Sequence, residues 1–363
     1  MNLPCKVTLA MPVYNVEKYI ERALLSALNQ TFESIEYLVI DDKGQDESMN
    51  IVRRIVTKHP RGKYVRIIDH GENRGTGATK NTAIKEAKGK YLYFMDSDDE
   101  IIPNCIALLY DKIHNTDLDW VMGAYSEITF STNKIINSIG ENRQLRGKYC
   151  LVEHILKGHF VSIATWNKLY ELDFLRKNKI KCVSNHLNED AWFFFQLMLM
   201  TRKCILIPEI TYYYYKTESS ITDFRSYTEE KKQRITSQYI EIDLLKKNLL
   251  NQYTFDKSYP LLLCVTMRES FRYAYEVSCL NVSGENMNMF SKFYMRYKNN
   301  SSRIAVRQFM SYPVSIGQIF KMPRKRIEIF LYWLISFIPY FFQYVFIAVS
   351  YTHLRAHETE LHL

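Results

Sequence analysis

An α/β fold is what the sequence predicts: a mainly parallel central sheet flanked by helices, followed by a helical C-terminal region. Three observations lead there. Short β-rich runs recur over residues 6–125, amphipathic stretches separate them, and residues 228–312 turn helical, polar and Tyr-rich.

The strand-like runs are Val7–Met11, Glu36–Ile40, Tyr64–Ile68, Tyr91–Met95 and Trp120–Met122. After the first, Ile20, Ala23, Leu24, Ala27 and Leu28 fall on one face of a helix, with Asn15 placed to cap it. After the second, Ile51, Val52, Ile55 and Val56 form another apolar stripe. Ligands of such sheets bind beyond the carboxyl ends of the strands. The loops that matter are then Pro12–Asn15, Asp41–Ser48 and Asp96–Glu100. Residues 126–223 are more mixed, with short helices and strands, and no internal repeat or low-complexity linker interrupts the chain.

The length of 363 residues suggests two or three structural units. Hydrophobic residues at 47% and charged residues at 24% allow a sizeable core and exclude wholesale disorder. The 27 Tyr and 20 Phe mostly fill that core, and the same side chains suit stacking on sugars or bases. A net charge of +9 attracts anionic ligands, but no Arg-rich tract or zinc-finger spacing points to nucleic acid. Cys5, Cys105, Cys150, Cys182, Cys204, Cys264 and Cys279 are scattered without a CxxC pair, as free thiols in a reducing compartment are. The N-terminus lacks an apolar signal core, so the catalytic part is expected to face the cytoplasm.

Ile329 to Ser350 is almost wholly apolar and follows the basic Lys321–Arg326. At about 22 residues it is long enough to cross a bilayer, and Pro339 also permits a helix lying in the interface. Residues 326–350 are therefore read as a membrane-associated segment, which would hold the protein at the inner face of the membrane. Residues 351–363 look foreign to what precedes them and are read as an artefactual or disordered tail.

The chemistry concentrates in acidic loops. Asp96, Asp98 and Asp99 are three carboxylates within four residues after an apolar strand, and they repel one another unless a cation lies between them. Mg²⁺ or Mn²⁺ would take carboxylate oxygens and leave positions for a diphosphate, whereas the bland alternative is a solvated turn capping a helix near Pro103. Asp41 and Asp42 follow another buried-looking strand, either accepting from a base N–H or capping a helix. Tyr14 is placed to stack on a flat base or simply to pack. Asn73 to Asn81 has small residues for close backbone approach and Lys80 as a cation for phosphate. It is not a dinucleotide fingerprint, because Lys80 stands at the third glycine position. Asn188-Glu189-Asp190 puts two carboxylates before an aromatic helix, as a general base or as a further cap.

Taken in order, Pro12-Val-Tyr-Asn15, Val39-Ile-Asp-Asp42, Asn73-x-Gly75…Lys80-Asn81, Asp96-Ser-Asp-Asp99 and Asn188-Glu-Asp190 resemble the family 2 glycosyltransferases with the GT-A fold. Leu28–Phe32, Trp166–Tyr170, Tyr213–Lys216 and Ser220–Thr222 are similar to that family too, so the resemblance covers about residues 5–223. It implies a GT-A domain over 1–223, a helical region over 224–325, and an enzyme of surface-polysaccharide biosynthesis. Pro12, Tyr14 and Asp42 would then hold the base of a nucleotide-sugar, with Asp41 nearby and uridine the base implied. Asn73, Gly75, Lys80, Asp96 and Ser97 would line the rest of the donor site, and Asp98 with Asp96 would bind Mn²⁺ or Mg²⁺. Trp166, Asn167 and Lys168 would shape the sugar or acceptor pocket. Asp190, with Glu189 beside it, would take the proton from a hydroxyl of a saccharide or lipid-linked acceptor in an inverting, metal-dependent transfer. Lys80 and Lys216 replace a usual Arg, Ala83 a common Gly, and Asp42-Lys-Gly-Gln-Asp46 the usual Asp-Gly-Ser-Thr-Asp.

Two rivals remain from other classes. One is a non-catalytic nucleotide-sugar-binding scaffold, against which stand the intact Asp96, Asp98 and Asp190. The other is a nucleotidyltransferase, which needs a Gly-rich basic loop after the first strand where this chain has Pro12–Asn15.

Overall fold

The structure is a computed structural model that describes residues 5–129, 134–138, 140, 142–216, 228–259, 261–266 and 269. The chain divides into two compact units, Met1–Ile155 with Phe160–Ser226 and Leu156–His159 with Tyr227–Leu363. In the first unit the strands are β1 (Val7–Val13), β2 (Ile35–Asp41), β3 (Val65–Asp69), β4 (Tyr91–Phe94) and β5 (Glu100–Ile101). They continue as β6 (Trp120–Thr129), β7 (Lys134–Asn137), β8 (Arg143–Arg146), β9 (Lys168–Glu171) and β10 (Lys203–Lys216). Its helices are α1 (Ile20–Leu28), α2 (Ser48–Lys58), α3 (Thr76–Glu86), α4 (Cys105–Ile113), α5 (Cys150–Leu156), α6 (Leu172–Lys177) and α7 (Glu189–Met200).

One sheet runs in the order β3-β2-β1-β4-β9-β6-β10-β5, with β7 on β6 and β8 on β10. The first four strands are parallel, as the strand–helix alternation predicts. Thereafter β9 lies antiparallel to both β4 and β6, and the sheet becomes mixed. Alternation along β1 sends Val7, Leu9, Met11 and Val13 into one core, where they meet Tyr37, Val39, Tyr91 and Tyr93 beneath α1, α2 and α4. The opposite face is equally buried, since Phe94 meets Phe193 of α7 edge-on at 6.3 Å. A strand covered on both faces is mostly apolar, which explains why these runs read as near-continuous hydrophobic blocks, and its buried exceptions Thr8 and Glu36 bond to each other.

The α1 stripe is as expected: Ile20, Ala23, Leu24, Ala27 and Leu28 are its buried residues. Its cap is not. Tyr19 stands at the N-cap without a side-chain bond, while Asn15, at φ 51°, accepts from Gln45 N at 2.8 Å. The asparagine therefore ties the first loop to the second, because a left-handed turn four residues too early points it away from the helix.

In the second unit, α8 (Glu229–Leu250) begins where Thr228 Oγ1 accepts from Lys231 N at 3.3 Å. Among the described residues no helix is long and apolar enough to cross a membrane. The expected membrane segment 326–350 and tail 351–363 lie outside the described residues.

Asn167 holds three strands together. Its Nδ2 donates to Gly123 O (2.8 Å) and Ala124 O (3.0 Å) of β6, and its Oδ1 accepts from Thr211 Oγ1 (2.6 Å) of β10. All of these groups are buried, so Asn167→Ala takes the amide away from Gly123 O and Ala124 O and leaves Thr211 Oγ1 only its longer bond to Ala124 O (3.4 Å). The expected loss is about 3 kcal/mol of unfolding free energy, read from the urea midpoint of the purified protein. A change within about 0.5 kcal/mol would show that the amide is dispensable.

Candidate active site

The parallel strands β1, β2, β3 and β4 end on the same edge, so the loops that follow them are neighbours. Tyr14, after β1, is 45% exposed and presents its ring to solvent. Pro12 pairs in register with Ile40, one residue before Asp41. Gly44 lets the second loop close on the first, since a Cβ there would lie 2.7 Å from Asn15 N. Asp41 accepts from Lys43 N at 2.9 Å, and Asp42 is turned inward and 2% exposed. Neither caps a helix: α2 starts from Glu47, and the side chain nearest its first turn is Asp46, which accepts from Ser48 N.

Asp42 binds the loop after β3. Its Oδ2 accepts from Gly75 N (2.8 Å), and its Oδ1 accepts from Arg74 N (3.0 Å) and lies 2.9 Å from His70 Nδ1. Asn73 Oδ1 also accepts from Gly75 N, at 3.0 Å. Gly75 has φ +80°, a conformation that suits glycine, and it leads directly into α3. The next glycine permits contact with the segment before α7, because a Cβ at Gly77 would lie 2.0 Å from Val183 O. Asn81 completes that junction by exchanging two hydrogen bonds with the Cys182 backbone.

Lys80 projects from α3 into the interior, only 1% exposed. Its Nζ donates to Asp190 Oδ1 at 2.7 Å and to Glu189 Oε1 at 3.2 Å. Burial pushes the ammonium pKa down, but the carboxylates of Asp190, Glu189 and Asp96 outweigh it and hold it well above the usual lysine value. Burial raises Glu189, with Lys80 opposing and Asp190 adding to the rise. Asp190 keeps a side chain 26% exposed, so one end of the ion pair reaches solvent. Both acids occupy the first turn of α7, whose N-cap is Asn188.

After β4 the carboxylate oxygens of Asp96, Asp98 and Asp99 lie within 4.8 Å of one another. Burial raises all three pKa values. Asp96 reaches about 7, with Lys80 pulling it down and Asp98, Asp190 and Glu189 pushing it up. Crowded, desolvated carboxylates of this kind fit a hard divalent cation, which would remove the repulsion. Ser97 is buried between them.

How this loop is held is not legible in the sequence. Asp99 accepts from Tyr212 Oη (2.7 Å) and Tyr215 N (2.8 Å), and Tyr212 Oη accepts from Asp96 N (3.2 Å). Arg22 of α1 donates to Asp98 O (2.6 Å), pairs with Glu100 at 2.9 Å and stacks 3.8 Å from the Tyr215 ring centroid. The Tyr213–Lys216 stretch was visible as family-like, but no spacing links position 99 to position 212 or 22 to 98.

Trp166 stacks on Tyr212 (4.4 Å between centroids, 7°) and Tyr214 (5.6 Å, 17°). Asn167 and Lys168, expected with it at a sugar or acceptor pocket, have buried side chains. Lys168 Nζ donates to Ala164 O at 2.5 Å, and burial lowers its pKa to about 7 despite the nearby Asp190 carboxylate.

A partly buried acidic cluster facing the Glu189–Asp190 pair, at the carboxyl edge of a mixed α/β sheet, defines the class: a GT-A protein. Residues 8–178 match the model of glycosyl transferase family 2, and that stretch is a domain of the family. It is similar to the glycosyltransferase GlyA of Streptococcus pneumoniae, 25% identical over 62% of this chain and 32% of that protein. It is also similar to the poly(ribitol-phosphate) beta-glucosyltransferase of Bacillus spizizenii, 30% identical over 58% of this chain and 32% of that protein. The chain thus matches about a third of the length of these relatives. Among solved structures, Staphylococcus aureus TarS residues 1–349 with UDP-GlcNAc aligns at a TM-score of 0.52. It is 20% identical, over 86% of this chain and 92% of that one, and shares the fold.

Lys168 gives the site a pH signature. Its folded pKa lies below its unfolded value of 10.5, so the folded state binds fewer protons between about pH 7 and 10.5 and stability rises with pH across that window. Lys168→Met removes the buried ammonium. Its stability advantage over the parent should shrink by about 2 kcal/mol between pH 7 and pH 9, in paired urea titrations. A constant difference would mean that Lys168 stays charged in the fold.

Proposed function

We propose that the protein is an inverting glycosyltransferase that moves a sugar from a nucleotide diphosphate, uridine being the favoured base, to a hydroxyl of a saccharide or lipid-linked acceptor. One observation carries this reading: Asp96 and Asp190, far apart in sequence, meet around the buried Lys80 at the carboxyl edge of the sheet. Tyr14 and Asp41 border the base site, and the Asn73–Gly75 turn borders the diphosphate side. Asp96 and Asp98 would hold Mn²⁺ or Mg²⁺, since both oxygens of Asp99 are already engaged. A cation there, when bound, neutralises the diphosphate as leaving group.

The chain's own residues do the rest. Asp190 accepts the proton from the acceptor hydroxyl as that oxygen bonds to the anomeric carbon. The bond from that carbon to the diphosphate oxygen breaks, and its electrons leave with the nucleotide. Attack from the opposite face inverts the configuration. Glu189 and Lys80 orient Asp190, and Trp166 with its stacked tyrosines forms one wall near the acceptor. The relative named as a poly(ribitol-phosphate) beta-glucosyltransferase supports a place in surface-polysaccharide synthesis.

The test is a calorimetric titration of UDP with and without Mn²⁺, with GDP as control, beside turnover of UDP-sugars. Asp190→Asn should lower kcat by about a thousandfold with UDP affinity kept, and Asp98→Ala should abolish the Mn²⁺-dependent part of UDP binding. Transfer that survives both substitutions sinks the proposal. Because Asp96 titrates at about 7, protons compete with the cation below that pH. Mn²⁺ affinity of the nucleotide-free protein should fall about tenfold from pH 8 to pH 6, and an affinity flat over that range would place the ion elsewhere.

A further inference from the structure

His70 is a buried titratable side chain, 8% exposed, that touches none of the reacting groups assigned above. It follows β3, and its backbone N donates to Asp41 O at 3.0 Å, so the main chain is fixed to the end of β2. Its ring is held at both nitrogens: Nδ1 lies 2.9 Å from Asp42 Oδ1, and Nε2 lies 2.9 Å from Thr82 Oγ1 of α3. An ionised carboxylate only accepts, so Nδ1 carries the hydrogen. A hydroxyl both donates and accepts, so Thr82 satisfies Nε2 whether or not it is protonated. Asp42 thus receives three donors, one from His70 and two from the backbone of Arg74 and Gly75.

We infer that His70 is a positioning residue: it locks the Asp42 carboxylate in the rotamer that binds Arg74 N and Gly75 N, and so sets the turn that borders the donor diphosphate. The reasoning is geometric. Without the ring, Asp42 keeps only the two amides it is meant to hold, and its remaining lone pairs draw it toward water. The turn then loses its anchor just where Gly75, at φ +80°, starts α3 and places Lys80 one turn further on. This inference rests on the reading of that turn as part of the donor site. It leaves Asp42 acting through the loop, with Asp41 and Tyr14 nearer the base.

Two amide substitutions separate the two ring contacts. An asparagine amide nitrogen falls near the position of Nδ1 and restores the bond to Asp42. A glutamine amide reaches the position of Nε2 and serves Thr82 instead. Both have room, because His70 borders an open cleft of about 480 Å³ lined also by Arg66, Asp69, Arg74, Thr82 and Lys85.

The first readout is amide hydrogen exchange at Arg74 and Gly75 in the nucleotide-free full chain, and the second is UDP titration with Mn²⁺. His70→Gln should speed exchange at both amides and weaken UDP about tenfold, seen in turnover as a raised donor KM with kcat kept. His70→Asn should stay within about threefold of the parent in both readouts, with both variants melting alike. Equal exchange in parent, His70→Asn and His70→Gln overturns the inference, as does faster exchange in His70→Gln with unchanged UDP affinity. If the exchange pattern holds but the folded parent binds no UDP, the positioning of the turn stands and the donor-site reading fails.

Discussion

A single buried ammonium is the constraint around which the rest of the site is arranged. Lys80 lies inside the first unit with the carboxylates of Asp190, Glu189 and Asp96 about it. An unpaired charge in such a place costs several kcal/mol, and so does each unpaired carboxylate. Neither Lys80 nor the buried Glu189 is tolerable alone, so the fold must bring α3, the first turn of α7 and the loop after β4 to one point. The small residues at that junction follow from this. Gly77 and the Asn81–Cys182 exchange let α3 approach the segment before α7 closely enough for a lysine to span the gap.

The same logic explains why the loops around this centre are fastened to the scaffold by side chains. A loop that carries several acids cannot be stabilised by burial of apolar groups, so its backbone is tied at each step. Arg22, Tyr212 and Tyr215 hold the Asp96–Asp99 turn from two directions, and Asp42 holds the Arg74–Gly75 turn from below. Rigid elements supply every one of these anchors: α1, β10 and the end of β2. Preorganisation of this kind matters for a site whose task is to orient a charged donor, because a misplaced turn costs rate without breaking the fold.

Local patterning was enough to read the first half of the sheet. The apolar stripe of α1 and the β1, β2 and β4 runs are periodic over several residues and depend only on which face is buried. Acidic clusters at strand ends were legible for a related reason, since carboxylates crowded after an apolar run are costly without a purpose. What escaped was non-local. The antiparallel return through β9 arises from pairing between residues 91–93 and 169–171, which no period encodes. Asn15 looked like a cap because its type and position suit one, yet its positive φ sends it to Gln45. Asp99 carries the same side chain as Asp96 and Asp98, and only Tyr212 and Tyr215 distinguish its task. Asn167 and Lys168, adjacent to Trp166 in sequence, are buried where β9 begins and bond to backbone oxygens of Gly123, Ala124 and Ala164.

The choice of lysine at position 80, where the family resemblance implies arginine, follows from the same geometry. A guanidinium presents five donors in a rigid planar fork and, once buried, needs acceptors in that plane. Here the two hydrogen-bond acceptors are adjacent acids of one helical turn, and Asp96 of another loop adds only its field. An ammonium is a compact charge with three rotatable donors, so Asp190 and Glu189 can both be satisfied while Asp96 still feels the field. It can also shift its bonds among them by small torsions of its stem. Substituting arginine would add donors without adding acceptors, in a place where an unsatisfied donor is expensive. The lysine is therefore part of the same solution as Gly77 and the acidic turn: one flexible point charge, reached by close packing, that several fixed carboxylates can share.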